Sequence, residues 1–282
     1  MTVATPAVPG RLALLRRPAR SGGLGAASGL GLGVSLLWFS LLVLIPLAAV
    51  VSTATGGGWS TFERALGNEQ TSAAIRLTVS QAALVTLVNI VMGTMIAWVL
   101  VRDHFFGKRL LELVIDIPFA LPTVVAGLVL LSLYGPNSPL GLHWANTPRS
   151  VFLAFLFVTL PFVVRTVQPV LAELDLEVEE AAASLGASRF TTFRRVTLPS
   201  LVPAIAAGAA LSFARGVSEY GSLVLLSGNL PGKTEVSSVR ILSSIENDNL
   251  PSAAAVATIL LFISFVVIVA LDLIQRKVAS RG

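Results

Sequence analysis

Apolar residues fall into six long runs along the chain, at about Leu30–Val51, Ile75–Val101, Val114–Tyr134, Ser150–Val170, Leu201–Leu226 and Ala253–Ile274. At about 1.5 Å rise per residue, each can cross a hydrocarbon core about 30 Å thick. The pattern predicts an all-α integral membrane protein with six transmembrane helices, and an even number of crossings puts both termini on one side. Between the fourth and fifth runs lies the only long polar, helix-forming stretch, Glu177–Ile205. It reads as two short helices around a glycine. Asp175, Glu177, Glu179 and Glu180 gather where the first helix would start, complementing its dipole. Ala181, Ala182 and Ala183 carry it forward, and Gly186 can take the left-handed conformation that ends it. Ser188 suits the N-cap of a second helix over Arg189–Val196, with Phe190 and Phe193 on one face and Pro199 stopping it before the next span. Helices this short are marginal alone in water. A hairpin presenting two aromatics therefore reads as a piece shaped for a partner's groove, against the plainer reading of an amphipathic connection.

Composition supports the membrane assignment. The 282 residues are 54% hydrophobic and 12% charged, with a mean hydropathy of +0.82, whereas soluble domains carry about 25% charged residues. The absence of cysteine excludes a disulfide framework and a thiolate metal site. The net charge of +5 invites a nucleic-acid reading, but the basic residues are scattered through short inter-span loops, so no nucleic-acid partner is expected. With the N-terminus inside, the inner segments hold 13 of them (Arg11, Arg16, Arg17, Arg20, Arg102, Lys108, Arg109, Arg189, Arg194, Arg195, Arg276, Lys277 and Arg281) and the outer segments 5 (Arg64, Arg76, Arg149, Lys233 and Arg240). This bias satisfies the positive-inside rule and puts the polar stretch and both termini in the cytoplasm of a cell-membrane protein. Arg165 and Arg215 lie within spans.

The expected organisation is a basic, Pro/Gly/Ala-rich cytoplasmic tail over residues 1–29, a first span and outer loop over 30–72, a main domain over 73–274 containing the polar loop 173–200, and a cytoplasmic tail over 275–282. The first apolar run competes with a signal-peptide reading, since Ser52-Thr53-Ala54 resembles a cleavage site. It exceeds the roughly 7–15 residues of a signal core, which favours a retained helix. Pro118 and Pro122 one turn apart, and Pro161 in the fourth run, predict kinks or pore-lining breaks. Gln81, Thr86 and Asn89 read as interhelical hydrogen-bond formers or path residues. Gly228-Asn-Leu-Pro-Gly232-Lys233-Thr234 mimics a phosphate-binding loop. The spacing is wrong by one residue, Ser227 stands where the first glycine belongs, and the loop falls outside the cell, so a nucleotide site is rejected. Val236, Val239, Leu242 and Ile245 then recur at helical spacing, predicting a short amphipathic helix on the outer surface.

The fifth run carries Arg215 near its middle, where a charge costs roughly 2.5–3.5 kcal/mol to insert, with Glu219 one turn on. On a continuous helix Gly208, Ser212, Arg215, Glu219 and Ser222 share an arc of about 80°. Such a stripe faces the protein interior or a watery cavity. Ser212, Arg215, Glu219 and Ser222 are therefore candidates for a translocation path, an arginine and two hydroxyls suiting an oxyanion. A structural ion pair fixing the bundle is the other reading.

These residues carry a family resemblance. Glu180-Ala181-Ala182, Leu185-Gly186-Ala187 and Leu198-Pro199 resemble the EAA loop of ABC-importer permeases. Pro161 through Leu171, Pro122 through Gly127, Leu133 through Asn137, Phe213-Ala-Arg215 through Ser222, Ser227 through Asn229 and Lys233-Thr-Glu235 resemble the T-type permease subunits of sulfate/thiosulfate importers. Gly216 and Ser218 depart from it, since members more often have Ala and Gly there. The resemblance covers nearly everything after the basic tail.

It implies the type I ABC importer permease (MetI-like) fold with cytoplasmic coupling helices. The ATPase-coupling loop would comprise Glu180, Ala181, Ala182, Leu185, Gly186, Phe190, Phe193, Leu198 and Pro199. The implied function is ATP-driven import of sulfate, with thiosulfate as well. The implied partners are a second, W-type permease, two copies of a cytoplasmic ATP-binding subunit and a soluble sulfate-binding protein, assembled in the lipid bilayer. The chain would not itself be a catalyst and would bind no cofactor or metal, ATP and magnesium belonging to the ATPase. A molybdate or tungstate permease is the alternative within the class. An ion-coupled secondary transporter is a different class, but it lacks support from an internal repeat. A membrane-embedded enzyme is weaker still, since His104 and His143 fall on opposite sides of the membrane.

Overall fold

The structure, a computed structural model, describes residues 26–56 and 58–279. Every regular element among the described residues is helical. The first apolar run is α1 (Ala26–Phe39), a single π turn (Ser40–Leu44) and α2 (Ile45–Gly56). The chain divides into a short unit ending at Ala48 and a large one beginning at Ala49. In the short unit the leucines from Leu30 to Leu47 are exposed, as a helix surrounded by hydrocarbon requires. The basic tail expected over 1–29 lies outside the described residues up to position 25, and Ala26–Gly29 are already helical.

In the large unit α3 (Trp59–Gly67) precedes α4 (Glu69–Arg102), α5 (Lys108–Ala120), α6 (Thr123–Tyr134) and α7 (Pro148–Glu173). Then come α8 (Leu176–Ser184), α9 (Arg189–Thr192), a second π turn (Phe193–Thr197), α10 (Leu198–Val217), α11 (Gly221–Leu226), α12 (Ser237–Glu246) and α13 (Leu250–Ala279). Five helical segments are long and apolar enough to cross a membrane, and α5 with α6 make a sixth if that bent pair is one span.

The third run breaks at the prolines, as expected, and α5 and α6 meet at 117°. Pro122 cannot donate to the carbonyl one turn back and forces Leu121 out of the helical region, to φ −89° and ψ 135°. Pro161, by contrast, is buried inside an unbroken α7. Within the stretch 275–282, expected as a cytoplasmic tail, α13 continues to Ala279.

The centre of this unit is α4, α7 and α10 packed on one another, with α13 against α10. Val85, Val151, Phe155, Phe213, Leu223 and Leu226 form the core toward one end, and Leu100, Val163, Val164, Val167 and Leu201 toward the other. Small residues permit the close contact. A Cβ on Gly208 would collide with Thr166 Oγ1, and one on Gly127 would lie 2.6 Å from the Ser222 carbonyl oxygen. Such close backbone approach is the usual basis of helix association in lipid, where apolar burial gives no driving force.

The glycine-lysine loop closes on itself. Backbone N–H groups of Lys233, Thr234 and Glu235 all point to the Leu230 carbonyl, and Leu230 N donates to Thr234 Oγ1 at 3.0 Å. Asn229 takes a left-handed φ of 48° between Gly228 and Gly232, both also positive. The predicted amphipathic helix follows as α12, which tucks Val239 and Ile241 against the core and leaves Ile245 exposed.

Candidate functional site

The polar stretch folds into the expected hairpin. Asp175 caps α8 by accepting from Glu177 N at 2.9 Å. Gly186, at φ +85°, ends it in a Schellman arrangement in which Gly186 N donates to the Ala183 carbonyl at 2.9 Å and Ala187 N to that of Ala182 at 3.0 Å. Ser188 Oγ then accepts from Thr191 N at 3.2 Å, starting α9. The anticipated stop at Pro199 does not occur, because Arg189 to Val217 is one continuous helical segment of 29 residues. The reason is the π turn. Leu198 N bonds back to the Phe193 carbonyl, five residues away, which widens the helix where the proline ring would otherwise meet the Arg195 carbonyl. The first apolar run repeats the device, Ile45 N reaching the Ser40 carbonyl just before Pro46.

The hairpin is fastened to the end of α4. Glu179 Oε1 accepts from Arg102 Nη2 at 2.7 Å and from Thr197 Oγ1 at 3.3 Å. Arg102 lies 5.7 Å from the Trp98 ring centre, and Trp98 meets Phe193 edge-on at 5.4 Å. A small cavity of about 230 Å³ remains between these groups and Ala183, Ala187 and Arg189. The expectation that Phe190 and Phe193 are presented together is therefore corrected, since Phe193 packs inward on Trp98. The apolar groups left open are Leu185, 89% exposed, and Phe190, 70% exposed, with Val178 beside them in the sequence pattern. Glu180, Ala181 and Gly186 are exposed as well, while Ala182 and Leu198 are half-buried and Pro199 is exposed.

The polar groups of the fifth run do not share one helical face. The helix ends at Val217 and restarts at Gly221, so Glu219 sits in the break. From there it pairs with Arg215 Nη2 at 2.6 Å, while its Oε1 accepts from Ser222 N at 2.9 Å and from Ser222 Oγ at 2.8 Å. A carboxylate there complements the N-terminal turn of α11. Its backbone oxygen accepts from Ser238 Oγ at 2.6 Å, tying in α12. Ser212, Glu219 and Ser222 are buried to 1% or less, and Gly208 lies against α7. Only the Arg215 side chain, 29% exposed, keeps an open side.

Ser212 belongs to a buried node. Asn89 Nδ2 donates to Thr159 Oγ1 at 2.8 Å and to Ser212 Oγ at 3.0 Å, joining α4, α7 and α10. Asn89 is thus an interhelical bond former. Asn89→Ala should lower the stability of the folded chain in detergent by about 1–3 kcal/mol, at roughly 0.6–1.7 kcal/mol per interhelical bond. An unfolding titration that left the midpoint unmoved would contradict this role.

Sequence reasoning missed two partners. Arg165 within α7 is neutralised by Asp116 of α5, its Nε donating to Asp116 Oδ1 at 2.8 Å, and its Nη1 donates to Gln168 Oε1 at 2.8 Å. The signal was present, since an arginine inside a span requires a counter-charge and Asp116 is the acid near the start of the preceding run. The Glu179–Arg102 pair carried no such signal, because its members lie 77 positions apart.

A bundle of this kind, with a broken third span and a fastened hairpin, has the fold of the membrane subunits of ABC importers. It overlays the bacterial alginate ABC transporter solved with an alginate pentasaccharide-bound periplasmic protein at a TM-score of 0.73, with 17% identity over 89% of this chain and 94% of that one. It overlays the MetNI methionine ABC transporter at 0.57, with 17% identity over 73% and 94%. Residues 89–281 match the family described as binding-protein-dependent transport system inner membrane component, and the chain belongs to that family. It is 40% identical over 259 residues to the sulfate transport system permease protein CysT of Salmonella typhimurium, covering 89% of this chain and 94% of the relative. It is also 40% identical over 250 residues to CysT of Synechocystis sp., covering 86% and 87%. The chain is thus a multi-pass, non-catalytic membrane component of a binding-protein-dependent transport system.

Proposed function

We propose that this chain is the T-type permease subunit of an ATP-driven importer that carries sulfate, and thiosulfate with it, into the cytoplasm. The observation that carries this reading is the 40% identity to CysT sulfate permeases over 89% of the chain. In it the hairpin and both termini face the cytoplasm, as the positive-inside count requires. The exposed Leu185 and Phe190, with Glu180 beside them in sequence, seat the hairpin in a groove of one of two ATP-binding subunits, which hold the nucleotide and magnesium. A W-type permease completes the pathway, and a soluble sulfate-binding protein delivers the solute outside.

Geometry supports a direct coupling route. The second arm of the hairpin runs without a break into α10, so a push on Phe190 moves a rod whose far end carries Arg215. Glu179 and Arg102 pass the same push to α4. At the far end Glu219 and Ser222 hold Arg215 in place, and its open side meets the solute. The pathway role thus narrows to Arg215, with Ser212, Glu219 and Ser222 as its support.

Competition resolves the cargo. In vesicles holding the assembled complex, unlabelled thiosulfate should suppress labelled-sulfate uptake, while molybdate and tungstate at the same concentration leave most of it. The reverse order would assign the chain to the molybdate/tungstate group.

A further inference from the structure

At the end of the large unit opposite the hairpin, α3, α4, α12 and α13 enclose a cavity of about 390 Å³ whose lining includes Arg64, Arg240, Asn68, Thr71, Asn249 and Ser252. Among the described residues no carboxylate lines it; Glu69 and Asp248, adjacent in sequence to Asn68 and Asn249, do not reach the lining. Neither arginine forms an ion pair among the described residues. Arg64 donates only to neutral oxygens, the Ser60 carbonyl at 3.1 Å and Thr61 Oγ1 at 3.4 Å. Arg240 uses its Nε on Thr71 Oγ1 at 3.2 Å.

Two guanidinium groups line one cavity without a counter-charge among its lining residues, and each keeps N–H donors from which an anion can accept. The backbone adds to the positive field. Asn68 caps α4 and Asn249 bonds to Ser252 N at the start of α13, so two long helices turn their positive ends toward the same space.

We infer that this cavity is a binding site for a tetrahedral oxyanion at the outer mouth of the chain. The inference rests on the proposed oxyanion importer and extends it, because the site is separate from the Arg215–Glu219 pair. The cavity holds such an anion with several waters, each needing about 30 Å³. Short helix α12 links the two places, since it carries Arg240 into the cavity and, through Ser238, braces the backbone of Glu219.

The test uses the assembled complex in lipid nanodiscs without the soluble binding protein, probed by equilibrium dialysis with labelled sulfate and, separately, molybdate. Wild type should bind saturably, and Arg64→Gln and Arg240→Gln should each weaken binding about tenfold or more, the loss of a charge-assisted hydrogen bond. Asn249→Asp keeps a good helix cap while adding a negative charge, so it should weaken binding similarly in a complex whose assembly is confirmed by size-exclusion chromatography. Equal binding by wild type and the Arg64→Gln/Arg240→Gln double variant would overturn the inference. So would variants that bind the anion as wild type does and, in a parallel measurement with the binding protein added, weaken only its docking, which would make the occupant a carboxylate of that protein. Arginine-dependent anion binding by a complex that imports no sulfate would leave the site standing and remove the cargo reading.

Discussion

Arg215→Gln is expected to lower oxyanion uptake by about 10-fold to 150-fold, the rate equivalent of one charge-assisted hydrogen bond worth about 1.5–3 kcal/mol. The same change leaves the Glu219 carboxylate, 1% exposed, without its cation. Stranding a buried charge costs about 3–5 kcal/mol, so the single variant should also be visibly less stable. Two effects are thus mixed in one substitution. The double variant Arg215→Gln/Glu219→Gln separates them, because it removes both charges and keeps the amide able to accept from Ser222. Its unfolding midpoint should return close to wild type while its uptake stays low. Uptake that recovered together with stability would reduce the pair to a structural clasp, with no pathway role for Arg215.

The second large effect belongs to the hairpin. Glu179→Ala removes the acceptor of Arg102 and Thr197 and leaves a mostly buried guanidinium, a loss of about 1.5–3 kcal/mol in holding α8 to α4. ATP hydrolysis by the assembled complex should then persist while uptake per ATP falls several-fold. Glu180→Lys acts differently, because Glu180 is exposed and makes no side-chain bond among the described residues. That variant should release the ATPase on size-exclusion chromatography without changing the chain's own stability. An ATPase that remained bound and coupled in Glu180→Lys would refute the docking assignment.

The spans and the hairpin were legible in the sequence because each rests on local chemistry. Apolar length, the Asp175 and Ser188 caps and the Gly186 turn act within a few residues of themselves, and the structure repeats them. What failed did so where proline or tertiary contact intervened. Pro199 reads as a helix stop, yet one widened turn absorbs it. The polar stripe assumed an uninterrupted helix to Leu226, whereas Glu219 finds better partners in Ser222 and Ser238 once the helix breaks at Ser218. Phe193 shared a face with Phe190 on paper, but Trp98, from a helix about ninety positions earlier, claims it. Ser222 was within reach on spacing, but Ser238 and Trp98 are brought in by tertiary contact that spacing does not show.

The central claim, that this chain is the membrane component through which ATP hydrolysis on separate subunits drives an oxyanion inward, is tested most directly by labelled-sulfate uptake. The vesicles would contain the chain, its partner permease, the ATP-binding subunit and the soluble binding protein. Uptake should require both ATP and the ATP-binding subunit and should cease when either is omitted. Sulfate accumulation without ATP, or without any ATPase subunit, would contradict it.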